Sequence, residues 1–243
     1  EGRIIHLLSV SIIGLNVICY MNDLMIRVES GDTIFSPEME NYGSMTDYLM
    51  DFCHSFEGGK IYGLIGECGS GGWGISSLLC GKESREESRV LMNGVKVSQN
   101  ELEKWGWYVG EGIARRCHFS REKSVIGQIR HGLNVSKKCD ENEIIRRFGL
   151  SDKRLDLRLS NLSWERWRAS AAIGYAHDCK IFCFPWVNTS YLNDLIMNSR
   201  IEVFSDILKQ EGNIVIIPTE KEESLEMIAD EIIVMKDHRW SIS

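Results

Sequence analysis

No basic excess, no CxxC pair and no internal repeat mark this chain, and each absence removes a class of function. A net charge of −7 set against 28 Lys and Arg leaves no basic domain or stripe of the kind that accompanies nucleic-acid binding. The local cluster ARRCHFSREK, residues 114–123, reads as a solvated face. Eight cysteines in 243 residues fall short of the density of a disulfide-stapled secreted scaffold and point to a reducing cytosol. Cys68, Cys80, Cys179 and Cys183 stand in apolar surroundings. With no histidine to complete a zinc spacing, they read as small core residues and no metal site is expected. The absence of heptads and low-complexity tracts leaves an ordinary globular chain, long enough to bury a sizeable core without staples.

One apolar run needs its own decision. Ile4 to Tyr20, IIHLLSVSIIGLNVICY, has about the shortest length that could cross a bilayer. It carries His6, Ser9, Ser11 and Asn16, has no basic flank beyond Arg3, and lacks a small-residue cleavage site. A retained strand or strand pair is therefore preferred to a membrane segment. Met21 offers a natural start, so residues 1–20 are set apart as an apolar N-terminal extension and residues 21–243 are expected to form a single domain.

Within that domain LMIRVES (from Leu24) reads as a strand, Gly31 to Ser44 as polar and irregular, and DYLMDFCHSFEGG leads into the strand KIYGLIG. The loop ECGSGGWG and the helix ISSLLCG, stopped by Gly81, complete a βα unit of the kind that builds parallel sheets. RVLMNGVKV is a hairpin by its Asn93-Gly94 dipeptide. Ser120 to Ala176 is mainly helical and charged. KIFCF and NIVIIP then read as strands with the helix DLIMNSRIEVFSDILKQEG between them, and SLEMIADEIIVMKDHRW as a helix and a closing strand.

The loop Gly66 to Trp73 has the glycine skeleton of a phosphate-binding turn, but Gly72 and Trp73 stand where G-x-x-x-x-G-K-[ST] needs its lysine and hydroxyl. Alone it would be no more than a Gly-rich βα turn. Its ordered neighbours raise it: from Leu24 to Ser243 the chain resembles the ATP-binding cassette domain of ABC transporters. GGKIYGLIGECGSGGWGISSLLCG resembles the Walker A unit, WGWYVGEG the strand ending at the Q-loop, and FGLSDKRLDLRLSNLSWERWRASAAIGYA the helical sub-domain with its signature helix. CKIFCFPWVN resembles the Walker B strand, and IVIIPTEKEESLEMIADEIIVMKDHR the switch region. The resemblance implies an α/β fold of the P-loop NTPase type, with a mostly parallel sheet flanked by helices, an antiparallel β part and a helical sub-domain at about 115–176.

Carried over residue by residue, the family's chemistry is missing. The nucleotide loop falls on Gly66, Glu67, Cys68, Gly69, Ser70, Gly71, Gly72 and Trp73, with Gly72 for the lysine and Trp73 for the Mg²⁺-binding hydroxyl. The Q-loop glutamine falls on Glu111, and the signature on LSNLS with Ser160 and Ser163, or on LSWE. Pro185 and Trp186 stand for the Walker B aspartate and catalytic glutamate, and Glu220 for the switch histidine. SYLN, Ser190 to Asn193, keeps a likeness to the family's SALD turn. In phosphoryl transfer lysine and Mg²⁺ neutralise the phosphate charge and an acid or water-orienting residue sets up the attack, so no catalytic residue is assigned and binding of ATP and Mg²⁺ is expected to be weak or absent. Backbone N–H groups could still hold an anion, although Trp73 fills the metal position and Glu67 and Glu111 add negative charge.

The implied role is a structural or regulatory partner of an integral-membrane permease or of another ABC ATPase subunit, with a homodimer as a further form, in the cytoplasm at the inner face of the membrane. Two alternatives stay open: a working ATPase in which Lys60 or Lys82 reaches the phosphates, and a stand-alone interaction scaffold. Of the seven tryptophans, Trp105 or Trp107 reads as core and Trp164 as an exposed interface anchor. Phe119 and Arg121 fall, by resemblance, where a permease would dock.

Overall fold

The computed structural model describes residues 24–36, 38–39, 43–44, 46–113 and 122–237. The run Ile4 to Tyr20, Phe119 and Arg121 lie outside the described residues. In chain order β1 (Met25–Ser30), β2 (Thr33–Phe35), β3 (Glu38–Met39), β4 (Gly43–Ser44), β5 (Asp47–Leu49), β6 (Phe52–Glu57) and β7 (Lys60–Ile65) precede α1 (Gly72–Leu79). There follow β8 (Ser88–Met92), β9 (Val95–Lys96), α2 (Gln99–Trp105) and β10 (Gly106–Tyr108). A helical layer of α3 (Val125–Ser136), α4 (Glu141–Arg147) and α5 (Glu165–Ala176) leads to β11 (Ile181–Cys183). The chain then runs through α6 (Thr189–Asp194), α7 (Ile201–Gln210), β12 (Ile214–Thr219) and β13 (Glu231–Val234).

The strands form two main sheets. One is antiparallel, in the order β6-β1-β8-β9; the other is parallel, in the order β10-β11-β12-β7-β13. Period-2 alternation in the parallel strands feeds two cores at once. Ile61, Phe182, Phe184, Val215 and Ile217 face the helical layer. Tyr62, Leu64, Ile181, Cys183, Ile214 and Ile216 face α1 and the antiparallel sheet. That is why these strands read as continuous apolar runs. The Asn93-Gly94 turn closes β8 and β9 with both residues at positive φ, as a two-residue hairpin requires.

Several expected elements differ. The stretch from Gly31 to Ser44 is not wholly irregular: β2 pairs with β5, and β3 with β4. The single helix expected between the last two central strands is broken, with a π turn at Leu195–Ser199 and Arg200 at φ 57° in the left-handed region between α6 and α7. The helix expected after β12 is only a 3₁₀ turn, Glu222–Ser224. Here tertiary demands override helical spacing: Leu225 is fully buried, and Asp230 must reach back to accept the Ile61 N–H at 2.8 Å. Cys80, Cys179 and Cys183 are buried, whereas Cys68 is exposed and is no core residue, because it rides on the glycine loop. Trp164 is half-buried against Tyr191, ring centroids 5.6 Å apart, and is no free anchor. Trp105 and Trp107 both pack partly buried against the two cores.

Candidate functional site: the glycine loop

The loop joins the C-terminal end of β7, an interior strand of the parallel sheet between β12 and β13, to the N-terminus of α1. Its start is fixed to the neighbouring strand by the Gly66 N–H, which donates to the Thr219 carbonyl at 3.0 Å. Ser70 turns the chain by donating its hydroxyl to the Glu67 carbonyl at 2.7 Å. Gly71, the residue before α1, sits at φ 94°, and a Cβ there would lie 3.0 Å from Leu49 Cα. Glycine is thus required both by the left-handed backbone and by the close approach of β5.

The side chains around the loop are largely apolar or aromatic. Trp73 is 3% exposed and its indole N–H donates to the Tyr108 hydroxyl at 2.5 Å. Burial raises the Tyr108 hydroxyl well above its ordinary value, so it stays neutral. Trp186 closes the other side, its indole N–H donating to the Gly66 carbonyl at 2.9 Å. Pro185 is buried beside it. Pro218 presses on Gly72, where an added Cβ would lie 2.9 Å from Pro218 Cβ. Gly72 and Trp73, the two positions at which the sequence pattern lacks its lysine and hydroxyl, are therefore packed as core.

A buried carboxylate enters this shell, and sequence reasoning missed it. Asp47 is 1% exposed; its Oδ1 accepts the Gly71 N–H at 2.8 Å and its Oδ2 the Gly74 N–H at 2.6 Å. Burial pushes its carboxyl above the ordinary value, while backbone N–H bonds from Gly71, Gly74 and Trp73 pull it back down. The signal in the sequence was a carboxylate at an inward position of the strand Asp47–Leu49, in step with the buried Leu49 two residues on.

The other expected positions lie around this centre but do not converge on it. Glu111 pairs with Lys82 at 2.5 Å. Glu220 accepts from the Thr189 hydroxyl at 3.1 Å, at the start of α6. Ser160 donates its hydroxyl to Glu122 at 2.6 Å, and Ser163 is exposed. The alternative lysines are both committed elsewhere: Lys60 pairs with Glu57 at 2.7 Å at the far end of β7, and Lys82 with Glu111 over the Tyr108 ring. Glu67 and Cys68 point to the exposed side of the loop. A cavity of about 700 Å³ opens not at the loop but beyond the C-terminal end of α1, lined by Cys80, Lys82, Tyr108, Glu111, His177 and Cys179 among others.

Ser170 on α5 holds the turn after β10, taking the Gly110 N–H at 2.9 Å and the Trp107 indole N–H at 3.1 Å and donating to the Glu111 carbonyl at 2.5 Å. Gln128 on α3 takes the Ile113 N–H at 2.8 Å and donates to the Lys123 carbonyl at 3.0 Å. Nothing in the spacing of the sequence marked either residue. Among the described residues no helix is long and apolar enough to cross a membrane.

No family model matches the chain. It is 27% identical over 191 residues to "Methionine import ATP-binding protein MetN 3" of Pectobacterium atrosepticum, covering 74% of this chain and 55% of the relative. To "Methionine import ATP-binding protein MetN 2" of Oenococcus oeni it is 23% identical over 232 residues, covering 89% and 64%. To "Arabinose import ATP-binding protein AraG" of Escherichia coli it is 25% identical over 209 residues, covering 81% and 40%. The chain therefore spans about half the length of these relatives. Among solved structures, the chain superimposes on cbiO1 from Clostridium perfringens, described as part of the ABC transporter complex cbiONQ, with TM-score 0.62 at 17% identity, covering 88% of this chain and 85% of that one. An ATP-binding subunit of an ABC transporter gives TM-score 0.61 at 14% identity. In sequence the chain is a relative of the ABC-transporter ATP-binding subunits, and its fold is that of an ABC ATPase domain.

Proposed function

We propose that this chain is the ATP-binding-cassette subunit of an import system that does not hydrolyse ATP and serves as a structural or regulatory partner. Its partner is an integral-membrane permease or a second ABC subunit, and its place is peripheral, at the inner face of the membrane. The import assignment rests on the names of its relatives, two of which handle methionine and one arabinose. The part played by a permease rests on cbiO1 belonging to a transporter complex.

The observation that carries the absence of hydrolysis is the filling of the loop end of the sheet. Magnesium nucleotide needs a cation for the β- and γ-phosphates, a hydroxyl and a carboxylate for the metal, and an acid or water-orienting group. In their places stand Gly72 against Pro218, Trp73 bonded to Tyr108, and Pro185 with Trp186. The residues present do not fit a bound magnesium nucleotide. Loss of even one charge-stabilising donor in an active site raises a barrier by about 3 to 4 kcal/mol, and here the whole set is absent.

The test is a titration of the purified chain with ATP and Mg²⁺, followed by tryptophan fluorescence and thermal stability, together with a phosphate-release assay. Trp73 and Trp186 flank the loop, so occupancy would change their emission, and binding to the folded state would raise the melting temperature. The expected outcome is no turnover and no response at millimolar ATP. Micromolar binding with turnover would establish a working ATPase instead.

A further inference from the structure

The N-terminal end of a helix leaves backbone N–H groups without partners inside the helix, and in a buried setting those groups must be satisfied. Free N–H groups of this kind, aided by the helix dipole, are what a Gly-rich loop offers to a phosphate. We propose that in this chain Asp47 is the resident anion of the glycine loop, its carboxylate holding the backbone donors at the start of α1 so that a phosphate cannot take them. The inference rests on the reading that the chain is a cassette subunit without hydrolysis, and it supplies the binding half of that reading: the anion site is filled from within.

Three observations carry it. Both carboxylate oxygens face donors, Gly71 N at 2.8 Å and Gly74 N at 2.6 Å, which matches the ionised, acceptor-only form of the group. The group is closed off from solvent, with Asp47 1% exposed. Its strand is also fastened to the loop independently of the carboxylate: Tyr48 N–H donates to the Gly69 carbonyl at 3.0 Å, and Leu49 lies against Gly71. β5 is in turn paired with β2, so the anion is delivered by a sheet and not by a free side chain. The relatives are named ATP-binding proteins, which makes a phosphate the anion to test against the carboxylate.

The probe is inorganic pyrophosphate without metal, read by thermal unfolding of the wild type and of Asp47→Ala and Asp47→Asn. The wild type is expected not to respond at about 10 mM pyrophosphate. Asp47→Ala is expected to melt lower by about 4 °C or more, as loss of a helix-terminal acceptor would cause, and to regain at least half of that loss with pyrophosphate. An Ala variant that melts like the wild type, or one that pyrophosphate does not rescue, overturns the inference. Should the Ala variant fail to fold, Asp47→Asn decides, because its amide oxygen keeps one acceptor: a pyrophosphate shift absent from the wild type supports the inference, and no shift overturns it. An inert wild type with unresponsive variants overturns this inference alone. ATP turnover by the wild type overturns the reading of the function, whatever the variants do.

Discussion

The helical layer and the loop end of the parallel sheet use charge in opposite ways. In the helical layer Arg147 on α4 pairs with Glu211 after α7 at 2.7 Å and donates to the Tyr175 hydroxyl at 2.9 Å. Arg154 pairs with Glu165 at 2.8 Å, and Arg130 with Glu141 at 2.6 Å. Each bond joins segments that are apart in sequence. At the loop end of β7, β11 and β12 stand Trp73, Trp186, Pro185 and Pro218, and the carboxylate that does enter, Asp47, is taken up by backbone N–H groups. The same chain therefore places ion pairs where helices need joining and packs apolar bulk around the glycine loop.

The largest expected effect comes from trying to reverse that packing. The double substitution Gly72→Lys and Trp73→Ser should destabilise the chain by about 3 to 5 kcal/mol, as loss of a buried tryptophan does. The Tyr108 hydroxyl loses its donor, and any side chain added at position 72 meets Pro218. Denaturant unfolding measures the loss, and phosphate release should stay at background because Pro185 and Trp186 remain. A double variant as stable as the wild type would show that the loop end is not core.

A middle-sized effect separates buried from exposed charge in the helical layer. Glu165 is 6% exposed and also takes the Ser151 N–H at 2.7 Å, whereas the Arg154 side chain is about half exposed. Glu165→Ala should cost about 1 to 3 kcal/mol through the unsatisfied Ser151 N–H, and Arg154→Ala under about 1 kcal/mol. Equal losses in urea unfolding would mean that the ion pair, and not the backbone bond, holds the start of α5.

The smallest effect is a pH dependence. His177 stacks between Trp107 and His131, and burial holds its imidazole below the ordinary value, with the His131 and Lys123 charges acting in the same direction and its bond to the Gln128 carbonyl opposing them. The unfolded chain therefore takes up this proton more readily than the folded one. The His177 contribution is present above the unfolded value near 6.5 and is lost as pH falls from there through the lower folded-state value, with a slope no steeper than about 1.4 kcal/mol per pH unit. His177→Gln should flatten the stability profile between about pH 7.5 and 5; an unchanged profile would assign the slope to other groups, His54 among them.

Much of the scaffold was legible because the signals are local. Apolar runs such as KIYGLIG and NIVIIP read as strands and Asn93-Gly94 as a hairpin turn, and all three form. The errors came where distant contacts outweighed local preference. SLEMIAD has helical spacing, yet Leu225 and Asp230 are claimed by the core and by Ile61. Trp164 heads a polar helix and still turns onto Tyr191. Cys68 has apolar neighbours in sequence but rides on the exposed side of its loop.

By itself the sequence determined most of the strands, the position of the glycine loop and the absence of a lysine and a following hydroxyl at Gly72 and Trp73, since each is a matter of residue identity and local periodicity. Only the tertiary structure decided what fills that space. Asp47 lies 24 positions from Gly71 and 27 from Gly74, and whether a carboxylate so far along the chain meets those N–H groups depends on how β5 packs across the loop, a relation that no local pattern encodes.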